Sequence, residues 1–254
     1  MILYLGELII RSNWKITLGI VLIILSAVVY LIHYIIFRDP HHIFIYLIGD
    51  IAFVFINVLL VTLVIDTVLN NRSKKDKLEK LNMLIGVFFS EIGTKLIVHF
   101  SDSDPDLEKI KENLIVDTNW SNEKFMDISK KLKSYKYNIE INRINLEILR
   151  SFLINKNDFL TRLLENPNLL EHESFTELLR AVFHLDEELR SRKNVKSLTP
   201  KDSEHIASDI KRAYNLLVFE WLDYMKYLKD NYPYLFSLAI RLNPFDEKAT
   251  PEIK

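Results

Sequence analysis

Residues 16–69 read ITLGIVLIILSAVVYLIHYIIF, RDPHH, IFIYLIGDIAFVFINVLLVTLVIDTVL. The first run, Ile16 to Phe37, has 22 residues and no formal charge. About 20 apolar residues at 1.5 Å rise cross a hydrocarbon core roughly 30 Å thick, so the run predicts a membrane span. The second run, Ile43 to Leu69, has 27 residues and contains Asp50, Asn57 and Asp66. Only RDPHH separates them, and Asp39-Pro40 supplies a turn. The pattern predicts a transmembrane helical hairpin. It does not read as a signal peptide, because no small-residue cleavage site follows the first run and a second span comes at once.

Positive charge near the span ends sets the orientation. Arg11 and Lys15 precede the first span, Arg72, Lys74, Lys75, Lys77 and Lys80 follow the second, and the loop has Arg38 offset by Asp39. Both termini are expected in the cytoplasm, with the chain a multi-pass protein of the inner or plasma membrane. Trp14, Tyr30 and Tyr34 lie where interfacial aromatics sit. Residues 1–15 are apolar apart from Glu7, Arg11 and Lys15. They read as a short helix in the inner interface, with an extension of the first span as the alternative.

Beyond the hairpin, residues 70–254 read as a cytoplasmic helical domain. The first 69 residues hold only Arg11, Lys15 and Arg38 of the 33 basic and Glu7, Asp39, Asp50 and Asp66 of the 34 acidic residues. The remainder is therefore charge-neutral, which argues against a phosphate-reading nucleic-acid binder. The absence of cysteine excludes disulfides, thiolate metal sites and cysteine nucleophiles. Five glycines and seven prolines in 254 residues leave little turn material for a β-rich fold. The expected fold class is all-α: a two-helix hairpin followed by a helical bundle.

Within that domain, Leu81, Leu84, Phe88, Ile92 and Leu96 keep helical spacing, so the second span is expected to continue as one long helix. Asp104-Pro105 predicts a helix start, and a short helix is expected over Asn122 to Ser134. A helix with Ile141, Ile144, Ile148, Phe152, Phe159 and Leu163 on one side stops at Asn166-Pro167. The next starts at a Ser174 cap and turns Phe175, Leu178, Val182 and Leu189 inward. Thr199, Pro200 and Asp202 form the clearest helix start in the chain. The helix that follows carries Ile210, Tyr214, Leu217, Trp221, Tyr224 and Leu228, flanked by Ala213, Val218, Leu222 and Met225. So wide a stripe predicts the central helix of the bundle. Pro233 ends it, and the segment to Asn243-Pro244 is at most a two-turn helix, too short to span a bilayer. Trp221, Tyr232, Pro233, Tyr234, Phe236 and Phe245 are expected to act there as a clasp on the bundle or between subunits, with insertion at the inner membrane surface as the lesser alternative.

Candidate chemistry is sparse. Asp50 and Asn57 are seven apart and share a helix face, Asp66 lies on the opposite side, and His33 lies at a depth roughly one turn from that of Asp50. An intramembrane ionisable group is costly, which makes Asp50, Asn57 and His33 a candidate polar or pore site. Helix–helix adhesion through these groups is the favoured reading over conduction. His33, His41 and His42 with Asp39 and Asp50 form an outer cluster that matches no closed metal site and reads as solvated. The Glu-x-x-His spacing of carboxylate-bridged di-iron bundles is absent, as are HExxH, phosphate-binding glycine loops and Gly-x-Ser-x-Gly. His184, Asp186, Glu187, Glu188, Arg190, His205 and Asp209 read as solvated faces with salt bridges. The basic RSKKDKLEK (residues 72–80) is explained by topology, and contact with anionic headgroups follows from its position. No catalytic residue, cofactor or metal is implied, and an enzyme is not expected.

YPYLFSLAIRLNPFD (residues 232–246), preceded by the Trp221 helix, resembles the C-terminal end of a group of uncharacterised prokaryotic two-span membrane proteins. The resemblance is clearest over Phe175 to Asp246. It implies a prokaryotic membrane origin and attaches no activity or ligand. The expected function is a non-enzymatic, membrane-anchored interaction, sensory or scaffold protein, whose partners are the bilayer, further copies of itself and a cytoplasmic protein, but not nucleic acid. The alternative is an oligomeric ion- or proton-conducting protein whose second span lines the pore.

Overall fold

The computed structural model describes residues 2–252 except 168, 170 and 171, with side chains described from Trp14 onward apart from Lys15 and His42. Among the described residues all regular structure is helical. The chain forms two compact units, Met1–Arg72 and Ser73–Lys254.

The first unit holds α1 (Ile2–Phe37) and the N-terminal part of α2 (Pro40–Phe88). The backbone of residues 2–15 is continuous with the first apolar run; the side chains that would define an interfacial face there lie largely outside the described residues. Two residues join the helices. Arg38 takes a left-handed φ of 53° and donates its N–H to the Tyr34 carbonyl at 2.8 Å. Asp39 then accepts the His41 N–H at 2.9 Å, and Pro40 opens α2. The left-handed residue costs about 1–2 kcal/mol, but it allows the reversal within two residues. By length and composition, Ile16–Phe37 and the helix beginning at Ile43 can each cross a membrane. Their apolar side chains are exposed, with Ile23 at 72% and Phe55 at 73%.

The second unit is built around a long helix, α8 (Pro200–Asn231). The chain enters it through the end of α2, a π-turn at Phe89–Gly93 and α3 (Thr94–Ser101). The π-turn is defined by the Thr94 N–H bonding the Phe89 carbonyl five residues back. Gly93 is required there, because a Cβ would lie 2.5 Å from Phe89 Cδ1 and 2.9 Å from Phe88 Cε1. After α4 (Glu108–Lys111) come α5 (Asn122–Ser134), α6 (Leu146–Leu164), α7 (Glu173–Ser191), α8 and α9 (Pro233–Arg241). The core is continuous, and α8 contributes Ile210, Ala213, Tyr214, Leu217, Val218, Trp221, Leu222, Met225 and Leu228 to it. Phe88 meets Phe175 edge to face at 5.3 Å, while Phe89 stacks on Tyr224 at 5.5 Å.

Local signals explain most boundaries. Thr199 Oγ1 accepts the Asp202 N–H at 3.3 Å and Pro200 occupies the first helical turn, as expected. The reciprocal half of the capping box is missing, because Asp202 Oδ1 instead accepts from Arg192 Nη2 at 3.1 Å. Helix α7 is capped by His172 rather than Ser174: its Nδ1 accepts the Phe175 N–H at 3.3 Å. Asp104 does not cap a helix. Its Oδ1 closes a turn onto the Asp106 N–H at 3.0 Å, and its Oδ2 accepts from Tyr135 Oη at 2.7 Å. Helix α6 buries Leu146, Leu149, Leu153, Leu160 and Leu163, leaving Ile148 54% exposed. The leucine stripe wins over the isoleucine–phenylalanine stripe because α7 packs against that side; Asn145 caps the helix, and Ile141–Arg143 forms a separate 3₁₀ turn ahead of it.

Candidate functional site

Two places carry the candidate residues expected from the sequence, and a third comes together only in the fold. In the first unit, His33 and Asp50 line one cleft of about 580 Å³ together with Ser26, Tyr30 and Tyr46. The cleft lies between α1 and α2 near the Arg38–Asp39 link. Asn57 and Asp66 are exposed and do not line it. The structure thus brings His33 and Asp50 to one cleft and leaves Asn57 two turns along α2. Of the outer histidines, His41 is exposed, and the His42 side chain lies outside the described residues.

The C-terminal segment folds onto its own bundle. Phe236 and Phe245 are buried, and Phe245 meets Trp221 edge to face at 5.2 Å. Tyr232 Oη donates to Glu79 Oε1 at 3.1 Å, tying the start of α9 to the end of α2. Pro233 opens α9 at the surface, and Tyr234 is 71% exposed, so neither is part of the buried contact. The residue that sequence reading missed is Asn243, only 1% exposed. Its Nδ2 donates to the Leu114 carbonyl at 2.8 Å while its Oδ1 accepts the Phe245 N–H at 2.9 Å. The Asn-Pro dipeptide signalled a stop; it did not signal that the amide would serve two backbone groups.

The third place is where α7 and α8 pack side by side. His184 and Glu188 are one turn apart on α7, and His205 and Asp209 are one turn apart on α8. His205 Nε2 lies 3.4 Å from Asp209 Oδ2 and 3.5 Å from Glu188 Oε2. His184 Nε2 lies 3.6 Å from Asp209 Oδ2 and 3.9 Å from Glu188 Oε1. Asp209 is buried, and its Oδ2 has no hydrogen-bond partner. Both imidazoles reach solvent. Arg192 hydrogen-bonds Glu188 at 2.5 Å and holds that carboxyl below the ordinary range, against the opposing effect of burial. Asp186 and Arg190, from the same stretch of sequence, sit apart from this group: Asp186 is 1% exposed and accepts from Asn157 at 2.8 Å and from Arg190. Glu187 faces solvent. The sequence carries this signal only as paired spacings, His-x₃-Glu and His-x₃-Asp, which a Glu-x-x-His pattern does not match.

Two family descriptions cover these regions. Residues 9–69 match the MJ1433 N-terminal helical domain. Residues 77–241 match the C-terminal helical domain of uncharacterized protein MJ1433. The chain belongs to the MJ1433 family. Uncharacterized protein MJ1433 of Methanocaldococcus jannaschii is 45% identical over 238 residues, covering 94% of this chain and 96% of its own length. No solved structure matches. The MJ1433 N-terminal domain contains the His33/Asp50 cleft, and the MJ1433 C-terminal domain contains the His184/His205/Asp209 group. Asn243 and Phe245 follow the matched region.

Proposed function

We propose that this MJ1433-family chain is a two-span membrane protein with both termini in the cytoplasm, and that its C-terminal helical unit serves as a non-enzymatic sensory or interaction module. The observation that carries the membrane reading is exposure. Large apolar side chains cover both helices of the first unit on every side, far beyond the few hundred Å² of contiguous apolar surface that a soluble monomer carries. A bilayer satisfies that surface, and the two-residue link fits a hairpin that returns to the side it left. The interaction reading draws support from the closed apolar core of the second unit and the absence of catalytic motifs from the sequence.

The chain has no cysteine, so topology is testable with single-cysteine variants of the full-length protein. In whole cells, His41→Cys should react with a membrane-impermeant maleimide, while Ser73→Cys should react only after lysis. Equal reactivity at both positions before lysis would overturn the hairpin. For the interaction role, crosslinking of the full-length protein in its native membranes should yield a defined protein adduct; its absence with crosslinkers of several lengths would count against a docking module.

The shared His33/Asp50 cleft favours one second reading, an oligomeric proton- or ion-conducting protein. Asp50 in such a place is expensive unless paired or functional. Liposome flux that is present in the wild type and lost in Asp50→Ala would support conduction. No flux from the wild type would dismiss it.

A further inference from the structure

We propose that the α7–α8 pair binds one divalent first-row transition ion, of the zinc class, through His184, His205 and Asp209, with Glu188 at its edge. The inference goes beyond the membrane reading and does not depend on it, because every residue involved lies in the second unit.

The buried carboxylate is the starting point. A buried polar atom left without a partner carries a desolvation cost, and native structures rarely leave one so. Asp209 Oδ2 is such an atom, and the groups facing it are two imidazole nitrogens at 3.4 and 3.6 Å, neither in hydrogen-bonding geometry. Those separations match the edges of a coordination polyhedron. A tetrahedral ion with bonds of roughly 2.0–2.2 Å holds its ligand atoms roughly 3.3–3.6 Å apart. One ligand atom from each of His184, His205 and Asp209 can be chosen so that all lie within 4.8 Å of one another. A small rotation of the exposed imidazoles closes that gap.

The surroundings suit an ion better than a plain salt-bridge cluster. Arg212 Nη1 stands 3.7 Å from Asp209 Oδ1, on the other carboxylate oxygen, so it leaves Oδ2 aimed at the histidines. Outer partners of this kind orient metal-ligating carboxylates. Glu188 is held by Arg192, which leaves three protein donors and a solvent-facing fourth position. Both histidines are about half exposed, at 43% and 51%, so an ion has a route in, with Asp209 as the floor of the site. Two imidazoles and one carboxylate select zinc or a neighbouring transition ion over Mg²⁺ and Ca²⁺, which take oxygen ligands.

The test uses tag-free, full-length protein in detergent, stripped with a chelator and titrated with Co²⁺. We expect one Co²⁺ per chain with the visible absorption of an ion ligated by nitrogen and oxygen, displaced by Zn²⁺. His205→Gln and Asp209→Asn should abolish the spectrum and weaken binding by more than 10-fold, and Arg212→Ala by about 10-fold. His99→Gln, on α3 and outside the ligand group, should bind as the wild type does. Far-ultraviolet circular dichroism of each variant separates lost ligands from lost folding, and the half-exposed His205 keeps the test open if Asp209→Asn unfolds. No saturable Co²⁺ signal in the wild type would overturn the proposal. So would undiminished binding in the His184→Gln/His205→Gln double variant.

Discussion

Replacing Asn243 by alanine removes two hydrogen bonds from a place water cannot reach. The Phe245 N–H loses its acceptor at 2.9 Å, and the Leu114 carbonyl loses its side-chain donor at 2.8 Å, keeping the Val116 N–H at 3.0 Å. Leu114 is fully buried and Phe245 is 2% exposed, so neither group finds solvent without the clasp opening. The unsatisfied Phe245 N–H costs about 1–3 kcal/mol, and the lost second hydrogen bond at the Leu114 carbonyl about 1 kcal/mol. Part of that is returned because the asparagine amide no longer has to be desolvated, which leaves a net loss of about 2 kcal/mol. For a unit of this size 1 kcal/mol moves the midpoint by roughly 2–4 °C, so Tm should fall by roughly 4–8 °C. Tryptophan fluorescence of the detergent-solubilised chain is the natural assay, because Trp221 packs against Phe245 and reports the clasp directly. Asn243→Asp sharpens the test. It keeps an acceptor for Phe245 but sets a carboxylate oxygen against the Leu114 carbonyl, so it should be at least as damaging at neutral pH and recover on acidification. If Asn243→Ala melted within about 1 °C of the wild type, the two hydrogen bonds would not be holding the segment.

Other perturbations test separate parts of the bundle. Burial raises the Asp104 carboxyl above its ordinary 3.8, although its hydrogen bonds to Tyr135 and Asp106 pull the other way. The folded chain therefore keeps this proton to higher pH than the unfolded chain, and stability is lost as pH rises from 3.8 through the raised value. Asp104→Asn should gain on the wild type as pH rises above 3.8; urea titrations showing a constant or narrowing difference there would contradict this. Asp186→Ala removes the buried acceptor of Asn157 and of Arg190, whose guanidinium reaches solvent, and should cost about 1–2 kcal/mol by chemical denaturation, with no measurable loss arguing against a structural role. Gly93→Ala forces a Cβ into the buried Phe88 and Phe89 rings and should cost about 1–3 kcal/mol. Gly86→Ala meets only the tip of the Tyr224 side chain at 2.6 Å and should cost less, as compared by thermal melts.

The parts of this fold that could be read in advance are those fixed by local chemistry. The all-helical class, the Asn122–Ser134 helix and the Thr199-Pro200 start follow from capping residues and apolar spacing that act within one turn. The parts that could not be read depend on competition between distant groups. Ser174 is a better cap in isolation than His172, and Asp104 ahead of Pro105 resembles a helix start until Tyr135 claims its carboxylate. Helix α6 offers two apolar stripes, and only the packing of α7 against it selects the leucines. The His184/Glu188 and His205/Asp209 spacings were visible, but nothing local says that the two helices present them to one another. Asn243 shows the same limit, since its partner at Leu114 is 129 positions away.

The π-turn at Phe89–Gly93 has a consequence for helix phase. Leu81 and Phe100, both buried, are nineteen positions apart. At about 100° per residue an unbroken α-helix would point Phe100 about 100° away from the direction of Leu81, whereas eighteen residues make five whole turns. The wider turn absorbs the surplus residue and returns Leu96, Ile97 and Phe100 to the face that Leu81 and Ile85 began. A one-residue deletion within 89–93 that spares the packed rings should therefore leave that alignment intact. The same deletion a turn before or after would swing every later apolar residue out of the core. Chain length is thus forgiving at this one point in the helix and strict on either side of it.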